Sequence, residues 1–86
     1  MKLKYNFETM ELDDQIVAVT VGEGSQEFRG VVKLNESALE IFNLLKEETT
    51  EEAVIAALQQ RYGNDPEIPG FVADMVRYLT GEGVLE

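Results

Sequence analysis

The chain has 86 residues, 44% of them apolar and 28% charged, with neither cysteine nor histidine. That composition excludes disulfides, thiolate metal sites and histidine-based catalysis, and it leaves room for one modest core with little volume for an enclosed active site. Seventeen acidic side chains against seven basic ones give a formal charge of −10, a field that repels phosphate backbones and makes nucleic acid a poor partner.

Residues 1–86 read as a single domain. Met1 to Asn6 carries two lysines but no apolar h-region, so no signal peptide is expected there. No apolar run approaches a membrane span, and the default compartment is the reducing cytoplasm. Leu3 to Glu8 alternates, with Leu3, Tyr5 and Phe7 on one side and Lys4, Asn6 and Glu8 on the other, as a half-buried strand requires. Asp13-Asp14 supplies a turn. Gln15 to Val21 is β-branched and apolar on both faces, which suits the central strand of a small sheet. Gly22 to Ser25 reads as a hairpin loop. Gln26 to Leu34 then forms a third strand, with Phe28, Val32 and Leu34 on one face and Arg29, Val31 and Lys33 on the other.

Helical periods follow. Asn35 is placed to cap a helix whose apolar face is Leu34, Ala38, Ile41, Phe42 and Leu45. A second helix opens at Thr49 or Thr50; Thr49 and Glu52 have capping-box spacing, and Thr50 is the alternative cap. Its apolar face is Val54, Ala57, Leu58 and Tyr62, and Gly63-Asn64 ends it. Asp65-Pro66 reads as a cap followed by proline in the first turn, although the helix can also begin at Pro69. Ile68, Val72, Val76 and Leu79 form its stripe to about Gly81, and Val84-Leu85 is expected to tuck against the core. The fold class is α+β: a three-stranded antiparallel meander followed by three helices, βββααα, an order into which the winged helix-turn-helix architecture can be permuted.

No catalytic constellation can be assembled. Ser25 and Ser37 lack a histidine, and Gly22-Glu23-Gly24 lacks the phosphate-loop pattern and its lysine. Asp13-Asp14 and the acidic run Glu47 to Glu52 lack the alternating ligand spacing of a calcium loop; they read as a solvated turn and a helix start that favours negative charge. Neither an enzyme nor a cofactor is expected. Two features remain. The third strand is a sheet edge carrying Arg29, Val31 and Lys33 on one face, which either guards against aggregation or accepts a peptide as an added strand. The last helix has a wider apolar arc than one core face needs: Phe71, Met75 and Tyr78 run beside the main stripe, with Arg77 on the same helix.

The second half of the chain resembles a known family. Leu34-Asn35-Glu36-Ser37-Ala38 with Ile41-Phe42-Asn43-Leu44-Leu45 resembles the "LNETA…IWxLL" signature of PqqD-like proteins. Thr50-Glu51-Glu52 with Leu58 and Tyr62 is similar to their second helix, and Asp65-Pro66 through Val72, Val76, Leu79 and Gly83-Val84-Leu85 to their close. Phe42 stands where the family often has tryptophan, and Lys46-Glu47-Glu48 replaces a common Asp-Gly turn. The resemblance implies a winged-helix-like recognition element for the leader segment of a ribosomally made precursor peptide. Such a domain presents the precursor to a modifying enzyme, often a radical SAM enzyme. It further implies a peptide site on Arg29, Gly30, Val31, Val32 and Lys33 on one side and Phe71, Met75, Tyr78 and Leu79 on the other. A protein–protein adaptor of the same fold is the alternative; a winged-helix DNA binder is a third, opposed by the lack of a basic helix. The exposed edge also leaves pairing of two copies into a homodimer open.

Overall fold

The computed structural model describes residues 1–22 and 30–86; Arg29, Phe28 and the rest of 23–29 lie outside the described residues, and with them the first part of the third expected strand. Three strands, β1 (Phe7–Leu12), β2 (Gln15–Thr20) and β3 (Val31–Leu34), are followed by helices α1 (Glu36–Leu44), α2 (Glu51–Tyr62) and α3 (Ile68–Glu82). The sheet is antiparallel in the order β1-β2-β3, so the doubly apolar β2 is central and β3 is an edge.

The first strand lies four residues later than its alternation indicates. Leu3 and Phe7 are buried and Tyr5 packs against the core, so those side chains do face inward. Leu3, however, pairs only with Leu85 in an isolated antiparallel bridge. The turn explains the shift. Asp13-Asp14 is a two-residue connection that sets Leu12 opposite Gln15 and hence Phe7 opposite Thr20. Asp13 holds φ at 57°, a left-handed conformation that aspartate tolerates better than most residues. In that register Met10 and Leu12 point away from the helices and are exposed, which hides the strand from a search for buried alternation.

Helix starts follow local chemistry. Asn35 Oδ1 accepts from the Ala38 amide at 2.8 Å, and Thr50, not Thr49, caps α2 by accepting from the Ala53 amide at 3.1 Å. Helix α3 begins at Ile68, with Pro69 in its first turn where no amide donor is needed, and Gly83 closes it at φ 77°. Both chain ends are pinned beside the core. The Leu3 amide donates to the Leu45 carbonyl, Lys4 to Val84 and Glu86 to Lys2, at 2.8–2.9 Å.

The core lies between the inner sheet face and the helices. Ile16, Ala18, Val32 and Leu34 meet Ala38, Ile41, Phe42 and Leu45 of the α1 region, Val54 and Leu58 of α2, and the buried stripe of α3. The Phe7 and Phe42 rings meet edge to face with centroids 5.1 Å apart. Phe42→Ala is therefore expected to cost about 3–5 kcal/mol of stability in chemical denaturation. Leu12→Ala on the exposed end of β1 is expected to change it by less than about 0.5 kcal/mol.

Candidate functional site

The site residues fall into two groups once placed. On β3, Val32 is fully buried and faces the helices, whereas Val31, 48% exposed, and Lys33 face the opposite side of the sheet. Gly30 is exposed just before the strand, and Arg29 lies outside the described residues. On α3, Met75 and Leu79 are buried, while Phe71 and Tyr78 are 36% and 39% exposed.

The helical wheel accounts for the second group. At about 100° per residue, Ile68, Val72, Met75 and Leu79 span an arc of about 60°, with Phe71 and Tyr78 on one flank and Val76 on the other. Met75 therefore belongs to the core stripe, and Val76 is only partly buried beside it. Arg77 falls on the side of α3 opposite the core, where its side chain is 80% exposed and 3.4 Å from Asp74. An exposed pair of this kind contributes little, and its cation points away from β3's inner face.

Phe71 also borders a hollow of about 150 Å³ that it shares with Ser37 and Glu40 of α1 and Leu58 and Tyr62 of α2. Tyr62 was expected on the buried face of α2; it is 56% exposed, and its hydroxyl donates to Glu40 Oε1. Arg61 lies 5.6 Å above the Tyr62 ring and 3.9 Å from Glu40. The hydrogen bond to Glu40 raises the Tyr62 pKa, burial adds to the rise, and the Arg61 charge opposes it. Nothing in the helical periods reveals this trio, because Glu40 and Tyr62 are 22 residues apart on different helices.

A larger hollow of about 650 Å³ lies where the β1–β2 turn meets the end of β3 and the start of α1. Glu11, Asp13, Asp14 and Glu36 line it beside Lys33. Among the described residues no group of three or more Asp or Glu side chains is placed to hold a metal ion. Nor, among them, is any helix long and apolar enough to cross a membrane.

Residues 11–85 match the family described as Coenzyme PQQ synthesis protein D (PqqD). The chain belongs to the PqqD family. Among its relatives are PqqA binding proteins of Pseudomonas paraeruginosa and Pseudomonas aeruginosa, each 42% identical over 50 residues. Those residues are 58% of this chain and 51% of each relative, so the chain spans about half the length of the curated relatives it matches. A solved structure, TbiB1 in complex with the TbiA(beta) leader peptide, superimposes with a TM-score of 0.70 at 24% identity. It covers 100% of this chain and 95% of that one, which extends the shared βββααα fold over the N-terminal third where the sequence motifs are weakest.

Within this PqqD-family chain, Glu40 is the group that controls the Tyr62 phenol. Ionising the phenol gives up its donated hydrogen bond and sets two anions side by side, so the neutral form is favoured. Glu40→Ala is expected to lower the Tyr62 titration midpoint toward the ordinary tyrosine value, read by ultraviolet absorbance during alkaline titration. A midpoint that stays put or rises would show that Glu40 is not the cause.

Proposed function

We propose that this chain binds the leader segment of a ribosomally synthesised precursor peptide by adding it as a fourth strand along β3. It then presents the precursor to a modifying enzyme, of radical SAM type or similar, and supplies no chemistry of its own. The observation that carries the reading is the β3 edge itself. It has no strand partner on its outer side among the described residues, in a fold that matches a leader-peptide complex over its full length. The name of the PqqA binding relatives supports the same reading.

The mechanism follows from strand alternation. Main-chain pairing to β3 gives affinity with little dependence on sequence, and successive peptide side chains point to opposite faces of the sheet. Those on the helix side would meet the exposed rings of Phe71 and Tyr78, with Val32, Met75 and Leu79 as the rigid floor beneath. Those on the other side would lie beside Val31 and Lys33. Lys33 would favour acidic leader residues on that side, and Arg77 would take no part.

In an antiparallel ladder alternate residues turn their amides to the same side. Saturation with a synthetic leader from a precursor encoded beside this gene is thus expected to slow hydrogen exchange at two amides two residues apart within Val31–Leu34. The intervening amides, already bonded to β2, should hardly change. Uniform or absent protection would rule out strand addition. By calorimetry, Val31→Pro is expected to weaken binding about tenfold or more, and Glu52→Ala on α2 by less than about twofold. For an acidic leader, Lys33→Glu should weaken binding and Arg77→Glu should leave it unchanged. The reverse order would move the electrostatic contact to the back of α3.

A further inference from the structure

We propose that β1, the opposite edge of the sheet from β3, is a second strand-accepting edge, one that takes an extended segment of another protein. In that segment apolar side chains would alternate with lysine or arginine. The edge shares no residue with the peptide site on β3 and α3, and the inference stands whether or not that site takes a leader.

The backbone carries the argument. β1 is paired by β2 on one side and is the longer of the two edges, six residues against four in β3. The Val21 amide donates to the Asn6 carbonyl at 3.0 Å, and the register runs on from that pair through Phe7–Thr20 to Leu12–Gln15. Opposed residues in an antiparallel ladder alternate between bonded and unbonded pairs. Glu8, Met10 and Leu12 therefore turn their amides and carbonyls to β2, and those of Thr9 and Glu11 point outward. Among the described residues no backbone partner meets them.

Edge strands are ordinarily blunted by proline, bulges or charge. From Phe7 to Leu12 each residue has one partner on β2 without a bulge, and no proline interrupts the strand. Charge is the device present, in Glu8 and Glu11. Met10 and Leu12 undercut it, as two exposed large apolar side chains two residues apart on the outer face.

The side chains specify the occupant. A strand laid on β1 would place alternate side chains beside Met10 and Leu12 on the outer face, and the intervening ones beside Thr9 and Glu11 on the other. The first set must be apolar. The second meets the Glu11 carboxylate, which is exposed and has no ion pair among the described residues. Glu11 also lines the hollow at the β1–β2 turn, where Lys33 is outnumbered by Glu11, Asp13, Asp14 and Glu36. β1 holds two carboxylates and no cation, whereas β3 holds Lys33 and no carboxylate, so the two edges suit extended chains of opposite charge. A second copy paired β1 to β1 would set Glu8 and Glu11 against like charges.

The test uses a short capped synthetic peptide in which isoleucine alternates with lysine, and a twin with glutamate for lysine. Saturation with the lysine peptide is expected to slow hydrogen exchange at Thr9 and Glu11 about tenfold or more. Glu8, Met10 and Leu12 should hardly change, and Val31–Leu34 should be unaffected. The glutamate twin should bind about tenfold more weakly or worse. Thr9→Pro removes an outward amide and no bond to β2, so it should keep the fold and weaken the lysine peptide about tenfold or more. Glu11→Lys should weaken it about tenfold, and Glu47→Lys, the same charge change in the α1–α2 loop, less than about threefold. Circular dichroism melts confirm that the variants fold, and the Glu11→Lys comparison stands if Thr9→Pro does not. Exchange slowed at Val31 and Lys33 instead, equal protection along β1, equal losses from Glu11→Lys and Glu47→Lys, or no saturable binding would overturn the proposal. So would a dimer, seen by sedimentation equilibrium, that Thr9→Pro dissolves, since it assigns the edge to a second copy. None of these outcomes alters the protection at β3 that tests leader binding.

Discussion

Everything in this fold leans on the buried face of α1. Ile41, Phe42 and Leu45 are fully excluded from solvent, and through them the inner sheet face, α2, α3 and the pinned chain ends share one core. A domain of this size has little apolar material beyond that single cluster, and what it spends on α1 it cannot spend on covering its edges. The outer side of β3, the rings of Phe71 and Tyr78 and the α1–α2 seam therefore stay on the surface. They are what remains when one small core takes most of the apolar side chains.

That constraint also anchors the exposed positions through their buried neighbours. Val32 and Leu34 are fixed in the core from below, which ties the edge strand they belong to into the fold. Met75 and Leu79 do the same for the exposed flank of α3. In the proposed peptide site the buried residues would position the exposed ones, and loss of either kind would weaken binding for different reasons. A strand that is already ordered gives up little conformational entropy on pairing, so most of the ordering cost falls on the peptide.

Much of this was legible in residue patterns, and the exceptions have definite causes. Asn35, Gly63, the central position of β2 and the core face of α1 are local signals, and each stands where its chemistry puts it. β1 starts later than its alternation indicates because Leu3, Tyr5 and Phe7 pack toward the core, whereas the ladder itself begins only at Phe7 and runs on through Met10 and Leu12, which face solvent. Met75 was assigned to the neighbouring stripe because spacing by i, i+4 and i+7 links it to Phe71 and Tyr78. Only the angular spread of all four buried positions shows it to be central. The Glu40–Arg61–Tyr62 trio was invisible, since it depends on how α1 and α2 meet.

The charge distribution takes on a sharper meaning once the elements are in place. A formal charge of −10 spread evenly would serve solubility alone. The acids are in fact spread nearly evenly: the stretch from Glu36 to Tyr62 carries six of the seventeen, close to its share of the chain, while Lys33 keeps a cation on the outer side of the β3 sheet edge. A strand edge can select extended chains through its free main-chain groups, whereas the amides and carbonyls along a helix bond within it, so a helix face can select only by shape and charge.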